Sequence, residues 1–277
     1  MASNKKLLLP TDFSNNAWKA LVFAARLQEH TQMEIVILHA FLPFYTGFQS
    51  ASENKAQYET GYRISSQRME SLEEKIKAEL PQLKYETVIK DGTLYNTIEE
   101  VQEEKDIHAI IMGTKGASGI QANLIGSQTF EVGKRANISM VIIPEQYEYQ
   151  DNTEAVFLTN LEKTDIQAIE SVKSTIQPQK IHFVHFANAI PSPSLEAEIK
   201  EHISHLDLTG IEVSTEIMDI GIFNSPEKIK KTIAEKQWSL ISLNPGQKGF
   251  FENLFSKSFS KPLVHSSTVP IFLAKTF

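Results

Sequence analysis

Apolar positions along the chain fall into two alternating patterns. KLLLPTDF (Lys6 to Phe13), MEIVILHAF (Met33 to Phe41), IHAIIMG (Ile107 to Gly113) and ISMVIIPE (Ile138 to Glu145) are short and nearly uninterrupted. Strands of that kind are apolar on both faces, which predicts burial inside a parallel sheet. KYETVIKDG (Lys84 to Gly92) alternates instead and stops at Asp-Gly. Between the strands, NAWKALVFAARLQEH (Asn16 to His30) places Trp18, Leu21, Val22, Ala25 and Leu27 at helical spacing. A longer helical pattern, about Glu53 to Leu80, contains MESLEEKIKAEL, whose charges predict a solvated face with i,i+4 pairs. LYNTIEEVQEEKD and SQTFEVGKRAN supply two further helices. Strands alternating with helices require right-handed crossovers, so the prediction is a doubly wound α/β sheet covered on both faces.

The order then repeats. EAVFLTN (Glu154 to Asn160) matches KLLLPTD, and KIHFVHFA (Lys180 to Ala187) matches MEIVILHAF down to a late histidine. Between them TDIQAIESVKSTI opens with Thr164 and has Gln167 three residues on, a capping-box pattern. GIEVSTEIMDIG, SPEKIKKTIAEKQW and SLISLNPG continue the series, and KPLVHSSTVPIFLA closes it as GKRANISMVIIP closed the first half. Laying Ser139 on Pro270 gives an offset of 131 residues. The expectation is a duplication: two tandem five-stranded parallel-sheet domains, residues 1–147 and 152–277, joined through EQYEYQDNTE. MVIIP and PIFLA end the two halves as apolar edge strands, which an isolated sheet would have to protect.

Composition narrows the function classes. Lys and Arg number 27 against 34 Asp and Glu, a net charge of -7, with no basic run that would track a nucleic-acid backbone. With no cysteine, disulfides, zinc thiolates and a Cys nucleophile are excluded. No apolar run approaches the ~18 residues of a membrane span and the N-terminus lacks a secretory pattern, so the cytoplasm is expected and no membrane partner. Among 8 histidines, His182 and His185 sit in a strand, where i and i+3 face opposite sides. His202 and His205 lie in a helix-like stretch, and an exposed helical face is expected there rather than a metal site. No Ser-His-Asp order, paired carboxylates or HExxH is present, and no residue stands out as a catalytic base.

The most informative stretch is AIIMGTKGASGIQANLIGSQTF (Ala109 to Phe130). Gly113, Gly116 and Gly126 are spaced G-x2-G-x9-G, and Ser127 follows directly. Three glycines can be turn residues, with Ser127 capping a helix. They can also free the backbone for positive φ and close ligand approach, with the next helix turning its amides toward phosphate. The spacing is neither the Walker A nor the Rossmann glycine pattern, and it follows the fourth strand rather than the first. Asp12 is likewise open to two readings, a helix-cap residue alongside Ser14 or a ligand contact.

LLLPTDFS, VILHAF, DIHAIIMGTKG and the Gly126-Ser127 helix start together resemble the universal stress protein family in a tandem two-domain form. The likeness covers the whole chain and is stronger in residues 1–145. ATP-binding members carry G-x2-G-x9-G-[ST], which the first half meets without gaps. The resemblance implies the adenine nucleotide alpha hydrolase-like fold. It implies Asp12 as an adenine contact, Thr11 and Ala40 lining the base pocket, and Met112 and Gly113 near ribose and α-phosphate. Gly116, Gly126 and Ser127 would wrap the phosphates, with Lys115 either a nearby cation or a solvated loop residue. The implied ligand is ATP, ADP or AMP, with Mg2+ accompanying a polyphosphate, and the implied role is regulatory, with slow hydrolysis at most. The alternative is a nucleotide-free interaction or scaffold module with an unknown protein partner. In the family the last strands pair antiparallel about a two-fold axis, so the two halves would form an intrachain pseudo-dimer, with a homodimer of chains also compatible.

The family pattern is broken in places. Gln128 stands where a small apolar residue is usual. In the second half Asn160 replaces Asp12, while Asn244, Gln247 and Lys257 fall at the Gly113, Gly116 and Gly126 positions. Gly246 and Gly249 keep the G-x2-G spacing but shifted, and FFENLF reads as a plug or a partner surface. The second half is therefore expected to be a degenerate, structural copy.

Overall fold

The computed structural model describes residues 5–43, 50–114, 126–149, 154–159, 161–187, 193–219, 225–244, 263 and 266–275. The first half runs β1 (Lys6–Pro10), α1 (Asn15–Thr31), β2 (Glu34–Phe41), α2 (Ala51–Glu79), β3 (Tyr85–Asp91), α3 (Leu94–Glu104), β4 (Ile107–Gly113), α4 (Ser127–Arg135) and β5 (Ser139–Ile143). The second runs β6 (Glu154–Thr159), α5 (Asp165–Ile176), β7 (Lys180–Ala187), α6 (Pro193–Ser204), β8 (Glu212–Asp219), α7 (Pro226–Lys236), β9 (Ile241–Leu243) and β10 (Ile271–Leu273).

All these strands form one sheet in the order β3-β2-β1-β4-β5-β10-β9-β6-β7-β8. Every neighbouring pair is parallel except β5 with β10. There Ile142 faces Ile271, Val141 faces Phe272 and Met140 faces Leu273. The register is symmetric about Val141 and Phe272, residues that the offset of 131 makes equivalent. The two apolar edge strands thus cover each other within one chain, which removes the hazard of an unpaired edge. The five-stranded order is the same on each side of this joint.

The uninterrupted apolar runs are explained by the layers on both sides of the sheet. Leu7 and Leu9 of β1 enter the core under α1 and α2, while Leu8 enters the core on the opposite face with Ile98, Val101 and Val132. All three leucines are buried, and burial of each such side chain is worth about 1.5–3 kcal/mol. α1 starts at Ser14, whose hydroxyl accepts from Ala17 N at 3.2 Å, and ends at Gln32 in the left-handed region. Near that end, buried Gln28 donates to the carbonyls of Met33 and Lys84 at 2.7 and 2.8 Å, stitching the helix to the starts of β2 and β3.

One local expectation is corrected. Thr164 does not form a capping box: its backbone is helical, and its side chain makes no cap bond. Its hydroxyl instead accepts from Asn244 Nδ2 at 2.9 Å and donates to Glu162 at 3.3 Å. In the segment that leads from β5 toward the second half, Tyr147 is buried edge-on against Phe23 of α1, ring centroids 6.1 Å apart.

A polar seam also joins the halves. Ser139 and Ser171 hydroxyls lie 2.6 Å apart, and His108 Nε2 is 3.2 Å from the hydroxyls of both Ser174 and Thr175. Burial pushes the His108 pKa down, the charge of Lys5 adds to this, and Asp106 opposes it. No helix among the described residues is long and apolar enough to cross a membrane.

Candidate functional site

Where the sheet ends at the carboxyl termini of β1, β2 and β4, the structure holds a cavity of about 350 Å3. Thr11, Asp12, Ala40, Met112, Gly113, Gly126 and Ser127, seven of the eight residues named from sequence, line it. Gly116 and Lys115 lie outside the described residues.

The β1–α1 turn forms one wall. Phe13 adopts φ 64°, and two side chains brace that turn: Thr11 Oγ1 accepts from Phe13 N at 3.0 Å, and Asp12 Oδ1 accepts from Ser14 N at 3.1 Å. The cap of α1 is Ser14, and Asp12 holds the turn that presents it. His39 Nδ1 lies 2.8 Å from the Thr11 carbonyl. A carbonyl only accepts, so Nδ1 carries the proton. Burial holds the His39 pKa below its ordinary value, and the charge of Arg68 reinforces this, while the Thr11 carbonyl opposes it.

The β4–α4 wall departs from one sequence argument. Gly113 is not in the positive-φ region. Glycine is needed there because a Cβ would stand 2.6 Å from the Asn16 side chain. Asn16 is buried and donates from Nδ2 to the Ile143 carbonyl at 3.1 Å, while Thr114 Oγ1 donates to its Oδ1 at 3.3 Å. Gly113 therefore serves helix–strand packing. Gly126 is the N-cap residue of α4 and makes no side-chain cap bond, so Ser127 is the first helical residue rather than a cap. Gly126 N itself donates to the Thr114 carbonyl at 2.7 Å. The amides available at this end are accordingly those of the first turn of α4, which have no intrahelical carbonyl to meet. Thr129 Oγ1 anchors that turn through the Gly113 carbonyl at 2.8 Å. Lys134 and Arg135 in the last turn complement the far end of the helix dipole.

Gln128, named from sequence as a break in the family pattern, also lines the cavity, as do His39, Leu42, Gly92, Thr93, Leu94, Thr129 and Glu131, which were not named as site residues. Gly92, at φ +132°, turns the chain from β3 into α3 and donates its N–H to the Phe41 carbonyl at 2.9 Å. The Asp-Gly stop was visible, but that this loop reaches a pocket at β1 and β4 depends on strand order. For His39 a signal existed: the late histidine recurs in the second half, and there His185 Nδ1 meets the Thr159 carbonyl at 3.0 Å, as His39 meets Thr11.

The second half has a different interior at the corresponding place. Asp165, 1% exposed, receives Asn244 Nδ2 at 2.7 Å, His202 Nε2 at 3.1 Å and the Thr159 hydroxyl. His202 is thus not on an exposed helical face, as expected from sequence. It turns inward because a buried carboxylate without donors would be far too costly. His205 does sit exposed. His182 contacts Ser214 and Glu216, away from His185, and no metal-binding cluster of His, Cys, Asp and Glu occurs among the described residues. Asn160, Gln247, Lys257 and FFENLF lie outside the described residues.

Comparison with known proteins fits this architecture. Residues 3–144 match the family model described as the universal stress protein family. A universal stress protein of Methanocaldococcus jannaschii is 25% identical over 152 residues, 50% of this chain and 94% of that protein. The crystal structure of a universal stress protein from Archaeoglobus fulgidus covers 98% of this chain and 96% of its own at 20% identity, with a TM-score of 0.69, a likeness of fold. Another universal stress protein, solved in complex with cAMP, covers 52% of this chain and 98% of its own at 18% identity; its TM-score of 0.30 gives no ground for reading that ligand into this chain. With the family model matching the first half and the A. fulgidus fold spanning both, the chain belongs to the universal stress protein family.

Proposed function

We propose that the first half binds ATP or a related adenine nucleotide, ADP or AMP, and that this occupancy regulates the protein rather than feeding a reaction. The observation that carries this reading is convergence. Thr11, Asp12, Ala40, Met112, Gly113, Gly126 and Ser127 come from three parts of the chain and meet around one hollow. Its volume falls in the range of about 300–1,000 Å3 common for small-molecule sites. Met112, Ala40, Leu42 and Leu94 provide apolar surface for a base, Asp12 an acceptor for its donors, and the uncapped start of α4 a set of amides for phosphate. The acid that also lines the cavity, Glu131, is paired with Arg135 at 2.8 Å. Mg2+ would be held chiefly by the phosphates themselves.

Residues 152–277 act in this reading as a structural partner that keeps β5 covered, and the protein works in the cytoplasm. The test is a melting scan of the full chain with and without ATP and Mg2+. A ligand at 100 times its Kd stabilises by about 2.7 kcal/mol, and Asp12→Ala removes most of that shift. An unmoved wild-type melting temperature at millimolar ATP sinks the nucleotide reading and leaves the interaction-module alternative.

A further inference from the structure

A second cavity, about 500 Å3, lies on the other side of the β1–α1 turn, between α1 and α2. Its floor is apolar, formed by Leu9, Trp18, Leu21 and Leu72. Two cations stand at its walls, each over an aromatic ring. The Arg68 guanidinium carbon is 5.3 Å from the Phe13 centroid, and Lys75 Nζ is 3.9 Å from that of Trp18. Arg68 and Lys75 lie two turns apart on α2, so both heads reach the same groove. Among the described residues lining this cavity none is acidic, in a chain with 34 Asp and Glu. Among the described residues Arg68 has no carboxylate partner within ion-pair distance, and Lys75 has only Glu79, at 4.0 Å. The first turn of α1, which opens on this cavity through Ser14 and Asn15, carries no acid either.

An apolar floor beneath two cations and a helix start selects one ligand chemistry. The Arg68 and Lys75 heads are exposed but held over ring faces beside an apolar floor, so a carboxylate set there meets two positive charges at once. We propose that this cavity binds a small amphiphilic carboxylate, an alkyl or aryl acid whose apolar part lies on Leu9, Leu21 and Leu72 and whose carboxylate meets Arg68 and Lys75. The site is separate from the nucleotide cavity, with which it shares only Thr11 and Ala17 among the lining residues, and it does not depend on that reading.

Calorimetric titration of the full chain with decanoate, below its micelle concentration and without nucleotide, tests the proposal. The expected result is saturable binding of one decanoate per chain, with octylamine not binding. Arg68→Gln combined with Lys75→Gln weakens decanoate binding by about tenfold or more, since two charge-assisted contacts are lost. Ser71→Trp, at an exposed helix position on the cavity rim, abolishes binding by filling the groove. Absence of saturable decanoate binding, equal binding of octylamine, or affinity unchanged in both variants overturns it. ATP titrated into the same samples reports on the other cavity, so the two readings fail separately.

Discussion

The gap between the first helix and the fourth strand is filled once in each half, but from opposite sides. In the first half the helix supplies the side chain, Asn16, and the strand ends in Gly113, which has room for nothing more. In the second half the strand side supplies Asn244, at the Gly113 position, and the helix presents the smaller Thr164 at the Asn16 position. The turns before the two helices agree in detail: Thr11 and Thr159 each accept from the residue two on, and Phe13 and Leu161 have φ of 64° and 61°. One backbone plan is therefore packed in two complementary ways. The difference extends to the neighbouring position, where Ala17 in the first half corresponds to Asp165 in the second. That substitution builds a buried polar knot tying β6, α5, α6 and the end of β9 together. The half with the knot is the one whose glycine pattern is broken.

The largest expected effect breaks that knot. Asp165→Ala strands the Thr159, Asn244 and His202 donors and should cost about 3–5 kcal/mol in urea unfolding. It should leave ATP binding in the first half unchanged, and a loss below about 1 kcal/mol would show that the cluster is not holding the second half.

Gly113→Ala comes next. Its new Cβ would lie 2.6 Å from Asn16 Cγ and Oδ1, and overpacking of this kind costs about 1–3 kcal/mol. Adding Asn16→Thr adopts only the helix side of the second half's packing and makes room for the new methyl, so the double variant should be more stable than the sum of the two single losses. Strict additivity in that cycle would mean the two sites do not share the space.

The smallest effect is a pH slope. His39 and His108 both have pKa values below the ordinary 6.5, burial being the first cause in each. The unfolded chain therefore binds their protons first as pH falls. Their contribution is fully present above pH 6.5 and is lost as pH falls through that value toward the folded pKa. His108→Gln should flatten the decline of the melting temperature between pH 7 and the folded pKa, relative to wild type. An unchanged slope would show that the seam histidine is not stored uncharged.

Much of this was legible before the structure. The apolar runs marked the strands and their double burial, and the antiparallel pairing that the family resemblance implied for the last strands is present at β5–β10. Seven of the eight residues named around the first, second and fourth strand ends line one cavity, Gly116 lying outside the described residues. What failed were inferences about why a residue is present or which way it turns. Gly113 looked like a backbone-freedom glycine and is a packing glycine; Thr164 looked like a capping-box residue, but at the N-cap position its hydroxyl pairs with Asn244 instead. His202 looked exposed because its partner, Asp165, is remote in sequence.

The sequence by itself determined the elements, their order and the doubled plan, because period and apolar content act over neighbouring residues and along single strands. The tertiary structure alone decided which side chain fills each gap, that the β3–α3 loop reaches the first cavity, and that Arg68 and Lys75 share the second. Those outcomes rest on contacts such as Thr114 with Asn16, 98 residues apart, whose existence depends on strand order and close packing. Local periodicity carries no record of such distances, whereas the packed interior permits few other arrangements.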